Sequence, residues 1–165
     1  MPDLHKQSLC PTPLGPVRLL ASSKGLAGLW FEDQKYRPHE LDGPDWPHQD
    51  DHALLQEARQ QIGQYFEGQR SSFDLPLDLS AGSAFEQSVW HALLTITHGT
   101  HRSYGQIAQD IARPRAARAV GAAIGRNRLS IIVPCHRVLG RDGQLTGYAG
   151  GLQRKRALLE LEGVI

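Results

Sequence analysis

The sequence predicts two small domains of different class. Residues 1–79 are predicted to form an N-terminal α/β domain, a short antiparallel sheet plus a helix. Residues 80–165 are predicted to form a mainly α C-terminal domain, a winged-helix-like helix-turn-helix that carries a reactive cysteine. Three observations support this division: short apolar segments between turn residues in the first half, helical apolar spacing in the second, and a change of charge between them.

Turn residues separate the predicted strands of the first half. These strands are Leu4–Cys10, Val17–Ser22 and Leu26–Phe31. Three prolines indicate a loop over Pro38–Gln49, and the apolar spacing from Leu54 to Phe66 predicts a helix that Gly68 closes. Ser71–Leu79 is predicted to be extended because its apolar residues alternate. This half shows no catalytic groups of its own, and Cys10 is interpreted as a buried strand residue.

Helical spacing dominates the second half. A first helix, predicted to end near Gly99, has one apolar face made of Phe85, Val89, Leu93 and Ile96. Ser103 begins the next helix, with Gln106 at the spacing of a capping box. Pro114 suits the first position of a third helix that runs to about Gly125. Two short helices joined by a tight turn indicate a helix-turn-helix.

The third helix combines small side chains with arginines. Ala117, Val120 and Ile124 form its inward stripe. The outer side and the residues next to it are Arg115, Arg118, Ala119, Ala122, Gly125, Arg126 and Arg128. Tight helix–helix packing would explain the alanines and glycine but not the arginines. The pattern therefore favours docking on a phosphate chain, because small side chains let the backbone approach it and arginines bind phosphate.

The charge distribution supports the same partner. Residues 1–78 contain seven lysines and arginines against twelve acidic residues, whereas residues 79–165 contain eleven against five, and ten of those eleven are arginine. Such asymmetry within one chain points to a polyanion that binds the second half. A basic surface that is merely solvated remains the alternative.

The segment IIVPCHRV, Ile131–Val138, carries the chemistry. A β-branched apolar strand is predicted to end at Pro134, where a thiol, an imidazole and a guanidinium follow one another. Cationic or proton-accepting neighbours turn a thiol into a nucleophilic thiolate. With only Cys10 and Cys135 in the chain, a disulfide or a zinc site is not expected, and a reducing cytoplasm is the predicted location. From the composition we expect neither a membrane span nor a secretory signal.

Taken in order, the motifs resemble the O6-alkylguanine-DNA alkyltransferase family over almost the whole chain. The C-terminal motifs that carry the resemblance are SYGQIA at 103–108, RAVGAAIGRN at 118–127, IIVPCHRV at 131–138 and GYAGGLQRKRALLELEG at 147–163. Looser matches in the first half are LGPVRLLASSKGLAGLWF and YFEGQRSSFDLPLDL.

The resemblance implies direct DNA repair by a suicide protein. Cys135 would accept the alkyl group, with a relay through water, His136 and Glu162 to take its proton. Tyr104 would donate a hydrogen bond to guanine N3, and Asn127, which is alternatively a helix C-cap, would tie the recognition helix to the active-site turn. Alternatively, Glu162 is a solvated terminal carboxylate and Tyr104 is a packing residue. The product would be a permanent thioether formed once per molecule, with no cofactor or metal.

The resemblance also implies how substrate is bound. The third helix would enter the minor groove of alkylated double-stranded DNA, and Arg118 would replace an O6-alkylguanine, or an O4-alkylthymine, that is rotated out of the stack. The other expected DNA contacts are Ser103, Arg115, Ala119, Ala122, Gly125, Arg126 and Arg128. The pocket would be formed by Tyr104, Val138, Tyr148, Ala149 and Gly150. The protein is expected to be a monomer, and cooperative side-by-side binding on DNA remains open.

Two departures from the family pattern bear on rate and affinity. Where many relatives have IPYG, this chain has Ile96–Gly99, ITHG, and where they often have Asn-Pro, it has Asn127-Arg128. Neither change touches the reacting groups. Two other classes of protein are compatible with part of the pattern: a DNA-binding module or sensor that transfers nothing, and a cysteine hydrolase with Cys135 and His136 as a dyad. Adjacency in sequence argues against the dyad, because the papain-like pair lies far apart in sequence.

Overall fold

A computed structural model describes residues 5–34 and 46–165. The first domain contains strands β1 (Lys6–Cys10), β2 (Val17–Ser22) and β3 (Gly25–Phe31), followed by helix α1 (Ala53–Phe66). The strands form an antiparallel sheet in the order β1-β2-β3. These elements confirm the predicted α/β unit, while residues 38–45 of the predicted loop lie outside the described residues.

One face of α1 packs under this sheet. Leu55, Ala58, Ile62 and Tyr65 are buried on it, at the spacing that the sequence predicted. Residues 70–79 run in irregular extended backbone, and only Leu77 makes a bridge, to Leu26 of β3. The segment is therefore extended, as predicted, although it does not form a strand.

The second domain is a cluster of short helices. They are α2 (Ala84–Leu93), α3 (Tyr104–Asp110), α4 (Ala117–Gly125) and α5 (Leu152–Leu161). A capping box between Ser103 and Gln106 starts α3, as predicted. A two-residue parallel pair, β4 (Arg102–Ser103) and β5 (Val138–Leu139), joins the start of α3 to the segment after Cys135.

Three predicted boundaries were wrong. Helix α2 ends at Leu93 rather than near Gly99; Ile96 continues the apolar spacing because the chain after the helix folds back into the core. Helix α4 begins at Ala117, three residues after Pro114, which lies in the preceding turn. The strand predicted to end at Pro134 is instead a buried turn, in which Ile131 has a φ of 74°.

The two domains share one core. Backbone hydrogen bonds run from Leu29 N to Arg128 O, 2.8 Å, and from Ser130 N to Leu29 O, 2.9 Å, so β3 pairs with the chain that follows α4. Buried side chains from both halves belong to one continuous cluster. In the described part of the chain, no helix is long and apolar enough to cross a membrane.

Candidate active site

Cys135 begins a single turn of 3-10 helix, Cys135–Arg137, at the floor of a cavity of about 490 Å³. Its side chain is almost completely buried. Because the backbone at Cys135 and His136 is helical rather than extended, the two side chains do not point to opposite faces as successive residues of a strand would. Both side chains are instead turned into the protein, and neither Cys10 nor Cys135 forms a disulfide.

His136 and Glu162 form a fully buried pair. Their Nε2 and Oε2 atoms are 2.8 Å apart, and both side chains have 0% exposure. The other ring nitrogen of His136, Nδ1, is buried and has no hydrogen-bond partner among the described residues. Burial lowers the pKa of His136, although Glu162 opposes the effect. The imidazole is therefore neutral at pH 7, and it can accept a proton.

Two further side chains hold the Glu162 carboxylate. Arg137 donates from Nε to Oε1, 2.7 Å, and from Nη2 to Oε2, 2.9 Å. Tyr65 donates from its hydroxyl to Oε2, 2.6 Å. Burial alone would raise the pKa of Glu162, but the hydrogen bonds from His136, Arg137 and Tyr65 outweigh it and hold that pKa far below its ordinary value. The carboxylate is thus ionised inside the protein.

The environment of the thiol has opposing effects on its ionisation. Burial raises the pKa of Cys135, while the Asn127 amide and the charge of Lys155 act to lower it. The Lys155 ammonium is itself buried and donates to the carbonyls of Val138, 2.6 Å, and Thr146, 3.0 Å. Burial lowers the pKa of Lys155 to about 8. The resting thiol is consequently neutral and needs a base to remove its proton.

Asn127 links the end of α4 to the turn that precedes Cys135. Its Nδ2 donates to the carbonyl of Val133, 2.9 Å, and lies 3.1 Å from Cys135 Sγ. Its Oδ1 accepts from the backbone N–H of Leu129, 3.0 Å. The side chain thus supplies the hydrogen bonds that a neighbouring strand would otherwise provide.

The cavity above Cys135 has a mainly apolar wall with few polar groups. Its lining residues are Tyr104, Gly121, Ile124, Gly125, Asn127, Ser130, Cys135, Gly147, Tyr148 and Ala149. The Tyr104 hydroxyl lies 2.8 Å from Thr146 Oγ1. Of the predicted pocket residues, Tyr104, Tyr148 and Ala149 line the cavity. Val138 and Gly150 do not: Val138 is fully buried, and a Cβ on Gly150 would meet the Tyr148 ring at 2.9 Å.

Helix α4 forms one wall of this cavity and presents Arg118 outward. Arg118, Ala119 and Ala122 are exposed on it. Arg115 precedes the helix and is exposed, whereas Arg126 Nη1 lies 3.6 Å from Glu86 Oε2. The remaining predicted contacts are Gly125, which is exposed, and Arg128 and Ser103, which are half-buried, with the Ser103 hydroxyl accepting from Gln106 N.

Sequence reasoning missed three side chains in this site: Tyr65, Arg137 and Lys155. The bond between Tyr65 and Glu162 spans 97 residues, and Lys155 stands in a run of basic residues that resembles a solvated helix face. The IIVPCHRV motif contains Arg137, but nothing local indicates its partner. In the described residues, no group of three or more His, Cys, Asp or Glu side chains could hold a metal ion.

Models of two protein families match this chain in sequence order. Residues 6–79 match the ribonuclease-like domain of 6-O-methylguanine DNA methyltransferase. Residues 84–164 match the DNA-binding domain of 6-O-methylguanine DNA methyltransferase.

Individual proteins show the same similarity. The chain is 49% identical to a methylated-DNA–protein-cysteine methyltransferase of Mycobacterium tuberculosis over 92% of this chain and 88% of that protein. It is 42% identical to one of Haemophilus influenzae, over 92% and 83%. The crystal structure of Mycobacterium tuberculosis OGT in complex with DNA matches with a TM-score of 0.85 and 47% identity, covering 96% of this chain and 92% of that one.

Proposed function

The chain belongs to the 6-O-methylguanine DNA methyltransferase family, and from this membership we propose that Cys135 takes the alkyl group from O6-alkylguanine in DNA and restores the base. The protein is a methylated-DNA–protein-cysteine methyltransferase that acts in DNA repair, with DNA as its partner. One observation supports the assignment of Cys135 above the others. A buried thiol lines a cavity beside helix α4, and the next residue, a neutral imidazole, is hydrogen-bonded to an ionised carboxylate.

The first step is removal of the thiol proton. Water passes it from Cys135 Sγ to Nδ1 of His136, the ring nitrogen without a partner among the described residues. Nε2 of His136 keeps its proton and donates to Glu162, whose negative charge stabilises the imidazolium that forms. This arrangement assigns to Glu162 the role of the carboxylate in a serine-protease triad.

The second step is displacement at the alkyl carbon. A new bond forms between Cys135 sulfur and that carbon as the carbon–O6 bond breaks, and the electron pair of the broken bond goes to the guanine. Tyr104, on the cavity wall, donates a hydrogen bond to guanine N3 and so disperses the charge. The base leaves as neutral guanine after it takes up one proton. The thioether cannot undergo thiol–disulfide exchange, so each molecule acts once and needs no cofactor.

Substrate must leave the duplex to reach the cavity. We assign this task to α4, which docks in the minor groove with its exposed alanines, while Arg118 fills the space of the rotated nucleotide. Arg115, Arg126 and Arg128 contact phosphates in this arrangement, and Ser103 joins them from the start of α3. The same cavity would accept O4-alkylthymine, and Tyr148 with Ala149 would face the alkyl group. Val138 and Gly150 are proposed to border the substrate pocket beside the residues that line the cavity. The proposal also divides the chain into domains at residues 79 and 80 and takes the protein as a monomer.

Intact-mass measurement tests the transfer step directly. After incubation with a duplex containing O6-methylguanine in reducing buffer, we expect a gain of one methyl group, and peptide mapping should place it on Cys135. The variant Cys135→Ser should still bind the duplex but gain nothing, whereas Cys10→Ser, the matched control, should behave as wild type. DNA binding by wild type without any gain in mass would favour a sensor, and repeated turnover of an acyl substrate would favour a hydrolase.

A further inference from the structure

We propose that Tyr65, a residue of the N-terminal domain, is a positioning residue of the proton relay that acts through Glu162. The inference rests on the proposed function, since the relay matters only if Cys135 must lose its proton. It also gives the first domain a part in the reaction, although the sequence indicated no catalytic group there.

Tyr65 donates a hydrogen bond to the same carboxylate oxygen of Glu162 that His136 contacts. Its hydroxyl donates to Glu162 Oε2 at 2.6 Å, and Oε2 is the atom that His136 Nε2 contacts at 2.8 Å. Tyr65 is 1% exposed, lies in the last turn of α1 and is packed against Phe66 and Phe73. The hydroxyl therefore has a fixed direction, set by a helix of the other domain.

Arg137 alone would suffice to keep the carboxylate paired. Its two hydrogen bonds already reach both oxygens, and it lies in the same short turn as His136. A purely structural role for Tyr65 therefore does not explain why its hydroxyl donates to Oε2, the oxygen that His136 also contacts. Tyr65 is a third donor on that oxygen, beside His136 Nε2 and Arg137 Nη2, and it further reduces the affinity of Oε2 for a proton. The proton then stays on His136 Nε2, and Nδ1 remains the free acceptor that the relay requires.

The Tyr65 hydroxyl can serve in this way across the pH range of the protein. Burial and the adjacent charge of Glu162 raise the pKa of Tyr65 far above its ordinary value, so the phenol stays protonated. Besides Tyr65, the charged or titratable groups that hydrogen-bond to Glu162 among the described residues are His136 and Arg137. The His98 ring faces the Tyr65 ring edge-on, with the centroids 6.3 Å apart.

The substitution Tyr65→Phe in the full-length protein tests the inference, because it keeps the ring and removes only the hydroxyl. We expect the single-turnover rate constant at saturating methylated duplex to fall about tenfold, the scale of one hydrogen bond to a charged group. The affinity for DNA should stay the same. The control is Ser22→Ala, which removes another hydroxyl-to-carboxylate bond of the N-terminal domain, from Ser22 to Asp78, 2.5 Å, away from the cavity. Ser22→Ala should leave the rate constant unchanged.

Proton NMR supplies a readout that a structural role would not move. The His136 Nε2–H signal should shift in Tyr65→Phe and keep its position in Ser22→Ala. If Tyr65→Phe does not fold, a nuclear Overhauser contact between this proton and the Tyr65 ring in wild type takes its place, and the absence of that contact would overturn the inference. An unchanged rate in Tyr65→Phe, or an equal loss in both variants, would do the same. Failure of wild type to methylate Cys135 would instead remove the proposed function itself.

Discussion

The buried carboxylate of Glu162 gives the sharpest test of how this site is held together. The substitution Glu162→Gln keeps the shape of the side chain but removes its charge, and Arg137 then lies buried beside a neutral amide. Removing one partner of a buried ion pair destabilises a protein by about 3–5 kcal/mol. Because a chain of this size loses about 2–4 °C of Tm per kcal/mol, we expect Tm at pH 7 to fall on the order of 10 °C.

The pH dependence of that loss follows from the pKa of Glu162. Its folded-state pKa lies below its ordinary value of 4.5, so the charge stabilises the fold above that pH, and the contribution fades as pH falls toward the folded-state pKa. The Tm difference between wild type and Glu162→Gln should therefore be largest near pH 7 and should shrink below about pH 4.5.

The assay is thermal unfolding followed by circular dichroism from pH 7 down to pH 3.5. The matched control is Glu160→Gln, two residues earlier, where the carboxylate is exposed at the end of α5. Surface substitutions of this kind change stability within about 0.5 kcal/mol. Equal Tm values for the two variants at pH 7, or a difference that grows on acidification, would refute the reasoning.

Three other predictions concern catalysis and DNA binding. Arg118→Ala should slow methyl transfer from duplex about tenfold, because rotating the nucleotide out of the stack takes a few kcal/mol and Arg118 would no longer fill its space. Transfer from a methylated single strand should be unaffected, and an equal loss on both substrates would contradict this role of Arg118. The logarithm of DNA affinity should fall with the logarithm of salt at a slope of about −3 if three arginines contact phosphates, and a flat response would contradict docking by α4. Lys155→Met should slow transfer about tenfold at pH 7, whereas the control Arg156→Met should not. The difference in rate between wild type and Lys155→Met should narrow above pH 8, as wild-type Lys155 loses its charge. A difference that stays constant with pH would contradict an effect of the Lys155 charge.

Local sequence signals were sufficient for elements whose stabilising contacts are near in sequence. The capping box at Ser103 and the apolar stripe of α1 are examples, since each depends on residues within a few turns. The segment Ile131–Val133 shows where such signals fail. Its β-branched residues favour a strand. The Asn127 side chain instead hydrogen-bonds to the Val133 carbonyl and to the N–H of Leu129, just before the segment, and Ile131 adopts a positive φ, so the chain turns.

The candidate site divides in the same way. The order of residues alone predicted a reactive role for Cys135 and its neighbour His136. The long-range contacts of Tyr65 and Lys155 leave no trace in the sequence, because a core tyrosine at helical spacing and a lysine in a basic run have commonplace structural explanations. Their positions depend on how α1 and α5 pack, which is a property of the whole fold.

The burial of Cys135 and its proposed proton relay bear on why the thiol would react with an alkylated base rather than with oxidants. Burial raises the pKa of Cys135, so the resting side chain lacks the thiolate character that makes exposed cysteines react with oxidants. Burial also lowers the pKa of His136, the proposed acceptor of the thiol proton, so its imidazole is neutral in the resting protein. In the proposed mechanism the thiolate forms when its proton reaches His136, and the negative charge passes to the guanine as the carbon–O6 bond breaks. Because neither Cys135 nor His136 carries a charge at rest, we expect little reaction of the thiol with oxidants before an alkylated nucleobase occupies the cavity.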